Sequence, residues 1–241
     1  MMLLTLPLFA VALIYGAAAL LPAIYLMKYI YRKDTVEKEP SMLLMSLLIY
    51  GVIAALISIA LEGIGTKILN SLMDQSTVGY TLVLAFVVVA MVEEGAKFAM
   101  LKRRTWREVN FNYRFDGIVY AVFISLGFAA FENIGYVLGY GLSVAPARAL
   151  LAVPGHMCFG VFMGTFYGRA KQCQVWGDKS EERANLWLGY IVAVLLHGFY
   201  DSCAMVNTVA SSIIFIAFVV IMYIVVIKKV NKESQNDGPI I

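Results

Sequence analysis

Long apolar runs alternate along this chain with short polar connections. A transmembrane helix needs about 20 apolar residues to cross a hydrocarbon core of about 30 Å. On that template spans are predicted near residues 3–27, 41–61, 79–101, 115–141, 149–170, 186–204 and 208–227. The last two have no charge between them except Asp201. Fused into one helix they would run about 42 residues, or about 63 Å at 1.5 Å per residue. That is twice the membrane, so a hairpin near Asn207 is expected. Composition supports this pattern. Of 241 residues 61% are apolar and 15% charged, against about 25% charged in soluble domains, and the mean hydropathy is +0.79. Three cysteines without a C-x-x-C pair support neither a disulfide framework nor a zinc knuckle, and read as small core residues. The fold class expected is all-α and polytopic, with about seven transmembrane helices in one membrane domain (1–230) and a disordered polar tail (231–241).

The basic residues orient the chain. The connections after the first, third and fifth spans hold Lys28, Arg32, Lys33 and Lys38, then Lys102, Arg103, Arg104, Arg107 and Arg114, then Arg169, Lys171, Lys179 and Arg183. The tail adds Lys228, Lys229 and Lys232, whereas the alternate connections hold only Lys67 and Arg148. By the positive-inside rule the N-terminus is outside and the C-terminus cytoplasmic. The first span has no basic n-region and no small-residue cleavage site, so it reads as a mature helix, with Pro22 a kink point, rather than a signal peptide. A multi-pass membrane protein follows, with the lipid bilayer as a partner and no nucleic acid.

Seven ionisable groups fall inside the spans: Glu93, Glu94 and Lys97 in the third, Glu132 in the fourth, His156 in the fifth, His197 and Asp201 in the sixth. Facing lipid, they would together cost on the order of 10–20 kcal/mol, so they are expected to face one another or a hydrated cavity. Glu93 and Lys97, and His197 and Asp201, are each four residues apart and share a helix face. The second spacing suits a carboxylate orienting an imidazole, or a two-ligand metal face. Gly135 and Gly139 beside Glu132, and Gly160, Gly164 and Gly168 after His156, read as stripes for close helix packing. Spans one, two and seven carry no such group and are expected to be lipid-facing scaffold. The Phe, Tyr and Met residues read as lipid-facing bulk, and Asp116 as a helix N-terminal charge. Asn133 is a supporting amide beside Glu132.

No G-x-S-x-G, no H-E-x-x-H and no aspartate pair occurs. Water activation remains, by a carboxylate or by a metal on His and carboxylate ligands, with imidazoles stabilising an oxyanion. Hydrolysis is therefore favoured. A proton- or ion-coupled transporter and a non-catalytic scaffold or immunity protein remain open; no inverted repeat or paired broken helix supports a transporter.

EEGAK at Glu93–Lys97, F-x-x-x-E at Phe128–Glu132, H-x-x-x-G at His156–Gly160 and H-x-x-x-D at His197–Asp201 follow one another on four successive spans. In that order they resemble the PrsW family of intramembrane proteases. More distantly the chain is similar to the CAAX prenyl protease and bacteriocin-processing superfamily, whose second motif usually supplies His where Glu132 stands here. The resemblance implies an integral peptidase of the bacterial cytoplasmic membrane making the first, outside-facing cut in a single-span anti-sigma factor, leading to sigma factor activation in a stress response. It also implies catalytic roles: Glu93 and Glu94 as the water-activating pair, His156 and His197 as metal ligands or oxyanion donors, Asp201 orienting His197, and Glu132 a further ligand or base. A divalent metal such as zinc would suit the histidines and carboxylates, while a glutamate–histidine site needs none. Counted from the cytoplasmic ends, Glu94 lies about 10 Å deep and Glu132 and Asp201 about 25 Å. Glu93, Glu94 and the histidines are therefore expected to form the core, with Glu132 toward the outer mouth.

Overall fold

The computed structural model describes residues 8–206 and 208–240. Residues 3–7 of the first predicted span and the hairpin position Asn207 lie outside them. Six helices among the described residues are long and apolar enough to cross a membrane. They are α1 (Leu8–Lys33), α2 (Ser41–Leu72), α4 (Asp116–Tyr140), α5 (Leu142–Val175), α6 (Lys179–Met205) and α7 (Val209–Gln235). A seventh rod, α3, joins an α-helical start (Val78–Val83), a π-helical segment (Leu84–Ala90) and an α-helix (Met91–Thr105). The third predicted span falls on it. Pro22 lies within α1, whose helix continues through it.

Local chemistry sets several boundaries. The Thr77 hydroxyl accepts from the Tyr80 N–H at the start of α3, Asp178 accepts from Ser180 and Glu181 at the start of α6, and Thr208 with Ser211 forms a capping box on α7. Gly141, at φ 83°, stops α4 in the left-handed region and lets α5 begin at the next residue.

The centre of the bundle is α4, buried almost continuously from Asp116 to Ala129. Packed around it are α5, α2 and α1, and α6 lies on the far side of α5. The Gly160–Gly168 stripe does what its spacing suggests: a Cβ on Gly164 would meet the Gly117 carbonyl and the Ile118 backbone, so α4 and α5 touch backbone to backbone. Gly135 and Gly139 do not behave this way. Nothing lies within 4 Å of a Cβ built on either, so they face open space rather than a neighbouring helix.

Two further expectations are corrected. First, α2 is not plain scaffold. It runs eleven residues beyond the predicted end at 61, packs on α3 and α4, and carries Glu62 toward the interior. Second, the described part of the C-terminal tail, up to Ile240, packs back on the bundle. After α7 it returns to the 112–115 loop, where Arg114 N–H donates to the Gly238 carbonyl at 3.2 Å and Ile240 N–H to the Asn112 carbonyl at 2.7 Å. The Asp237 carboxylate accepts from Phe115 N–H at 2.9 Å, and Ile240 is buried. Unpaired loop amides and an apolar terminal side chain supply the reason. Asp116 keeps its structural role, accepting from the Asn112 and Tyr113 N–H groups at 3.0 and 2.7 Å.

Candidate active site

Four helices bring the intramembrane polar groups together. From α3 come Glu93, Glu94 and Lys97, all buried. The Lys97 ammonium sits at their centre, donating to Glu93 Oε2 at 3.1 Å, Glu94 Oε1 at 2.8 Å and His156 Nδ1 at 3.0 Å. Because Nδ1 accepts there, His156 carries its proton on Nε2 and donates it to Glu132 Oε2, 3.0 Å away. From α6, His197 presents Nδ1 to Glu94 Oε1 at 2.9 Å and Nε2 to Asp201 Oδ2 at 3.3 Å. The two imidazole centroids are 5.4 Å apart and nearly perpendicular.

Glu132 therefore joins the core through His156, nearer than its depth implied. The helix carrying Glu94 runs on to Thr105 rather than ending at 101, which adds about 6 Å to the depth of the glutamates. Asn133 does not face the cluster. Buried toward α1, it donates to the Ala19 carbonyl at 2.7 Å and accepts from Arg148 Nε at 2.8 Å. Its support is indirect: Arg148 then donates from Nη2 to Glu132 at 2.8 Å.

Sequence reasoning missed four participants. Arg148, counted among connection charges, lies on a π-helical turn of α5 (Arg148–Ala152) that aims it inward. Glu62, just past the predicted second span, lines the cavity; continuing the apolar pattern of that span to Leu72 would have found it. The aromatics are not all lipid-facing bulk, since Phe128 offers its ring face to Lys97 Nζ at 4.0 Å and Phe159 stacks on His197 at 4.7 Å and 18°. Phe128 opens the F-x-x-x-E motif, but nothing in the sequence marks Phe159.

These groups surround a cavity of about 280 Å³ lined by Glu62, Glu93, Glu132, Arg148, His156, His197 and Asp201 among others. It opens toward the ends of α4 and α6, near Tyr136 and Met205, remote from the basic connections. A divalent metal fits the donor set. One ligand atom each from Glu93, Glu94, His156 and His197 lies within 4.8 Å of the others, and all four residues are buried. Glu94 Oε2 is also buried without a hydrogen-bond partner, a cost a bound cation would remove. Two imidazoles with a carboxylate is a known catalytic zinc set.

A helical membrane bundle whose buried acids and imidazoles meet around a polar cavity defines an intramembrane hydrolase-type centre. Residues 39–227 match the profile of the PrsW family intramembrane metalloproteases. The chain is 31% identical over 222 residues to Protease PrsW of Clostridioides difficile, covering 90% of each chain. It is 32% identical over 185 residues to Protease PrsW of Bacillus subtilis, covering 77% of this chain and 80% of the relative. The chain belongs to the PrsW family of intramembrane metalloproteases. No solved structure gives a significant match. Of the classes that the residues alone left open, the hydrolytic one stands: this is a multi-pass membrane peptidase.

Proposed function

We propose that the chain is an endopeptidase that cuts a single-span membrane protein, with Glu93 as the water-activating base. The observation that carries this assignment is that Glu93 lines both the reaction cavity and the cleft beside it, whereas Glu94 lines neither. Glu93 uses only Oε2 toward Lys97, and its other oxygen has no hydrogen-bond partner among the described residues. It is free to take a proton from water and pass it to the departing amine nitrogen, leaving a carboxylate and an amine as products. His197, with Nε2 4.0 Å from Glu93 Oε2, lies beside the same space. Asp201 and Glu94 fix its ring, and Glu132 fixes that of His156. His156, His197 and Glu94, with Glu93 in reach, would hold the family's metal, which when bound supplies Lewis-acid polarisation of the scissile carbonyl.

The substrate we favour is a single-span anti-sigma factor cut on its outer side, leading to sigma factor activation. Supporting this, the basic connections cluster at one end of the bundle and the cavity opens at the other, so an N-out, C-in chain in the cytoplasmic membrane places the mouth outside. Co-expression with such a substrate tests the reading. Glu93→Gln and His197→Ala should each lower cleavage by about 10²–10⁴-fold while the protein stays integrated. Undiminished cleavage in either variant overturns the assignment.

A further inference from the structure

A helix presented to a protease must be unwound, and each backbone group freed inside a bilayer costs several kcal/mol unless it is paired. An intramembrane peptidase therefore needs a surface that is both open to lipid and polar along its floor. The cleft between α2 and α4 has both properties. It encloses about 320 Å³ between Ala55, Ser58, Ile59 and Glu62 on α2 and Phe128, Phe131, Gly135, Tyr136 and Tyr140 on α4. It shares Glu62, Glu93, Glu132 and Tyr136 with the reaction cavity, so the two are continuous.

The shape of the cleft follows from small residues. Toward the basic end the two helices are clamped: a Cβ on Gly51 would strike the Ile124 carbonyl and Phe128 N, and one on Gly127 would strike the Leu48 backbone. Beyond that clamp they part, and Gly135 presents bare backbone with nothing within 4 Å of its missing Cβ. Polar groups without partners line the gap. Ser58 Oγ is buried and makes no hydrogen bond. The Glu62 carboxylate makes no hydrogen bond or ion pair among the described residues, although it stands in a membrane helix. The larger groove between α1, α5 and α7, of about 710 Å³, has no charged residue in its lining and does not reach the donors.

We propose that the α2–α4 cleft receives the membrane segment of the substrate in extended form, with Gly135 admitting its backbone and Ser58 and Glu62 pairing its freed amides. This rests on the protease reading above. The occupant is an unwound apolar peptide strand, and Glu93 at the inner end of the cleft meets its scissile bond.

Photo-crosslinking tests it. The reactive residue p-benzoyl-phenylalanine is placed singly at Ile59 or Tyr140 in the cleft, at Leu21 in the α1–α5 groove, or at Val220 on α7. All four positions lack protein cover, and all are combined with Glu93→Gln. The probe is a synthetic single-span peptide with a Leu/Ala core broken by Gly-Pro, in phosphatidylglycerol–phosphatidylethanolamine vesicles, compared with an unbroken Leu/Ala peptide. Adducts at 59 and 140 should exceed those at 21 and 220 at least about tenfold and fall by a similar factor with the unbroken peptide. Adducts at 59 and 140 no stronger than at 220, or strongest at 21, overturn the proposal, as does equal labelling by both peptides. Mass spectrometry of the broken peptide after incubation with the unsubstituted enzyme separates the two claims. Cleavage without cleft adducts removes only the cleft, and cleft adducts without cleavage remove only the reading that single-span segments are cut.

Discussion

Lys97 is the side chain on which the cluster turns. Its ammonium compensates Glu93 and Glu94 and fixes the tautomer of His156, all within 3.1 Å. Removing one member of a buried ion pair leaves uncompensated charge and costs about 3–5 kcal/mol. Lys97→Met should therefore lower the thermal midpoint of the purified protein sharply. Because the ammonium bridges three of the four candidate metal donors, added zinc should restore part of that loss in Lys97→Met, and less once His156→Ala is added. Equal midpoints with and without zinc would show that the donor set takes no cation. At this scale the sequence was informative where a charge interrupted an apolar window, which is why Glu93, Glu94, Lys97, Glu132, His156, His197 and Asp201 could all be singled out. It was silent where the residue type is ordinary for a membrane helix. Phe159 under His197 looks like any lipid-facing phenylalanine until the fold places it. The inward turn of Arg148 depends on a π-helical register that hydropathy does not encode.

At the scale of helices, glycine spacing proved ambiguous in an instructive way. Two stripes with four-residue periods sit on neighbouring helices, yet one packs and the other lines open space. The difference lies in the partner: Gly164 faces Gly117, where both backbones are bare, while α2 has diverged from α4 by the level of Gly135. Gly164→Val should push α4 and α5 apart and destabilise the protein by about 1–3 kcal/mol or more. Gly139→Ala should be neutral or gain up to about 1 kcal/mol from helix propensity. Thermal unfolding in nanodiscs decides this, and a Gly139→Ala loss as large as that of Gly164→Val would contradict the open stripe. The π-helical segment Leu84–Ala90 belongs to the same scale. It lies one turn before Glu93, and Gly198 on α6 packs so closely on Phe86 that a Cβ there would overlap the ring. Such segments gather at functional sites because they shift side-chain register. Gly198→Val should therefore cost activity more than stability, by displacing the adjacent His197; peptide cleavage set against the thermal midpoint checks it.

Across the whole molecule, one end of the bundle buries carboxylates that take no part in the active site. Asp34 and Glu39 lie in the α1–α2 connection, buried against the start of α4 and the returning tail. Burial pushes Asp34 up to about 6, with Asp237 and Glu37 adding to it and Lys38 opposing it. Burial likewise pushes Glu39 up to about 7, with Asp34 and Glu37 adding to it and the neighbouring Tyr120 and Asp116 opposing it. Both folded values stand above the ordinary carboxylate range, so the folded chain keeps these protons to a higher pH than the unfolded chain does. The stability they contribute is complete below about pH 4 and is lost as pH rises through 6 and 7. The thermal midpoint should fall between about pH 4 and 7, and Asp34→Asn with Glu39→Gln should flatten that fall by fixing the neutral form. Truncation after Gln235 should lower the midpoint at every pH, because the Phe115 and Arg114 amides lose their acceptors on Asp237 and Gly238. A double variant with the same pH slope as the parent would place the pH dependence elsewhere, since Lys38, Glu37, Asp116, Tyr120 and Asp237 are the remaining groups that face the pair.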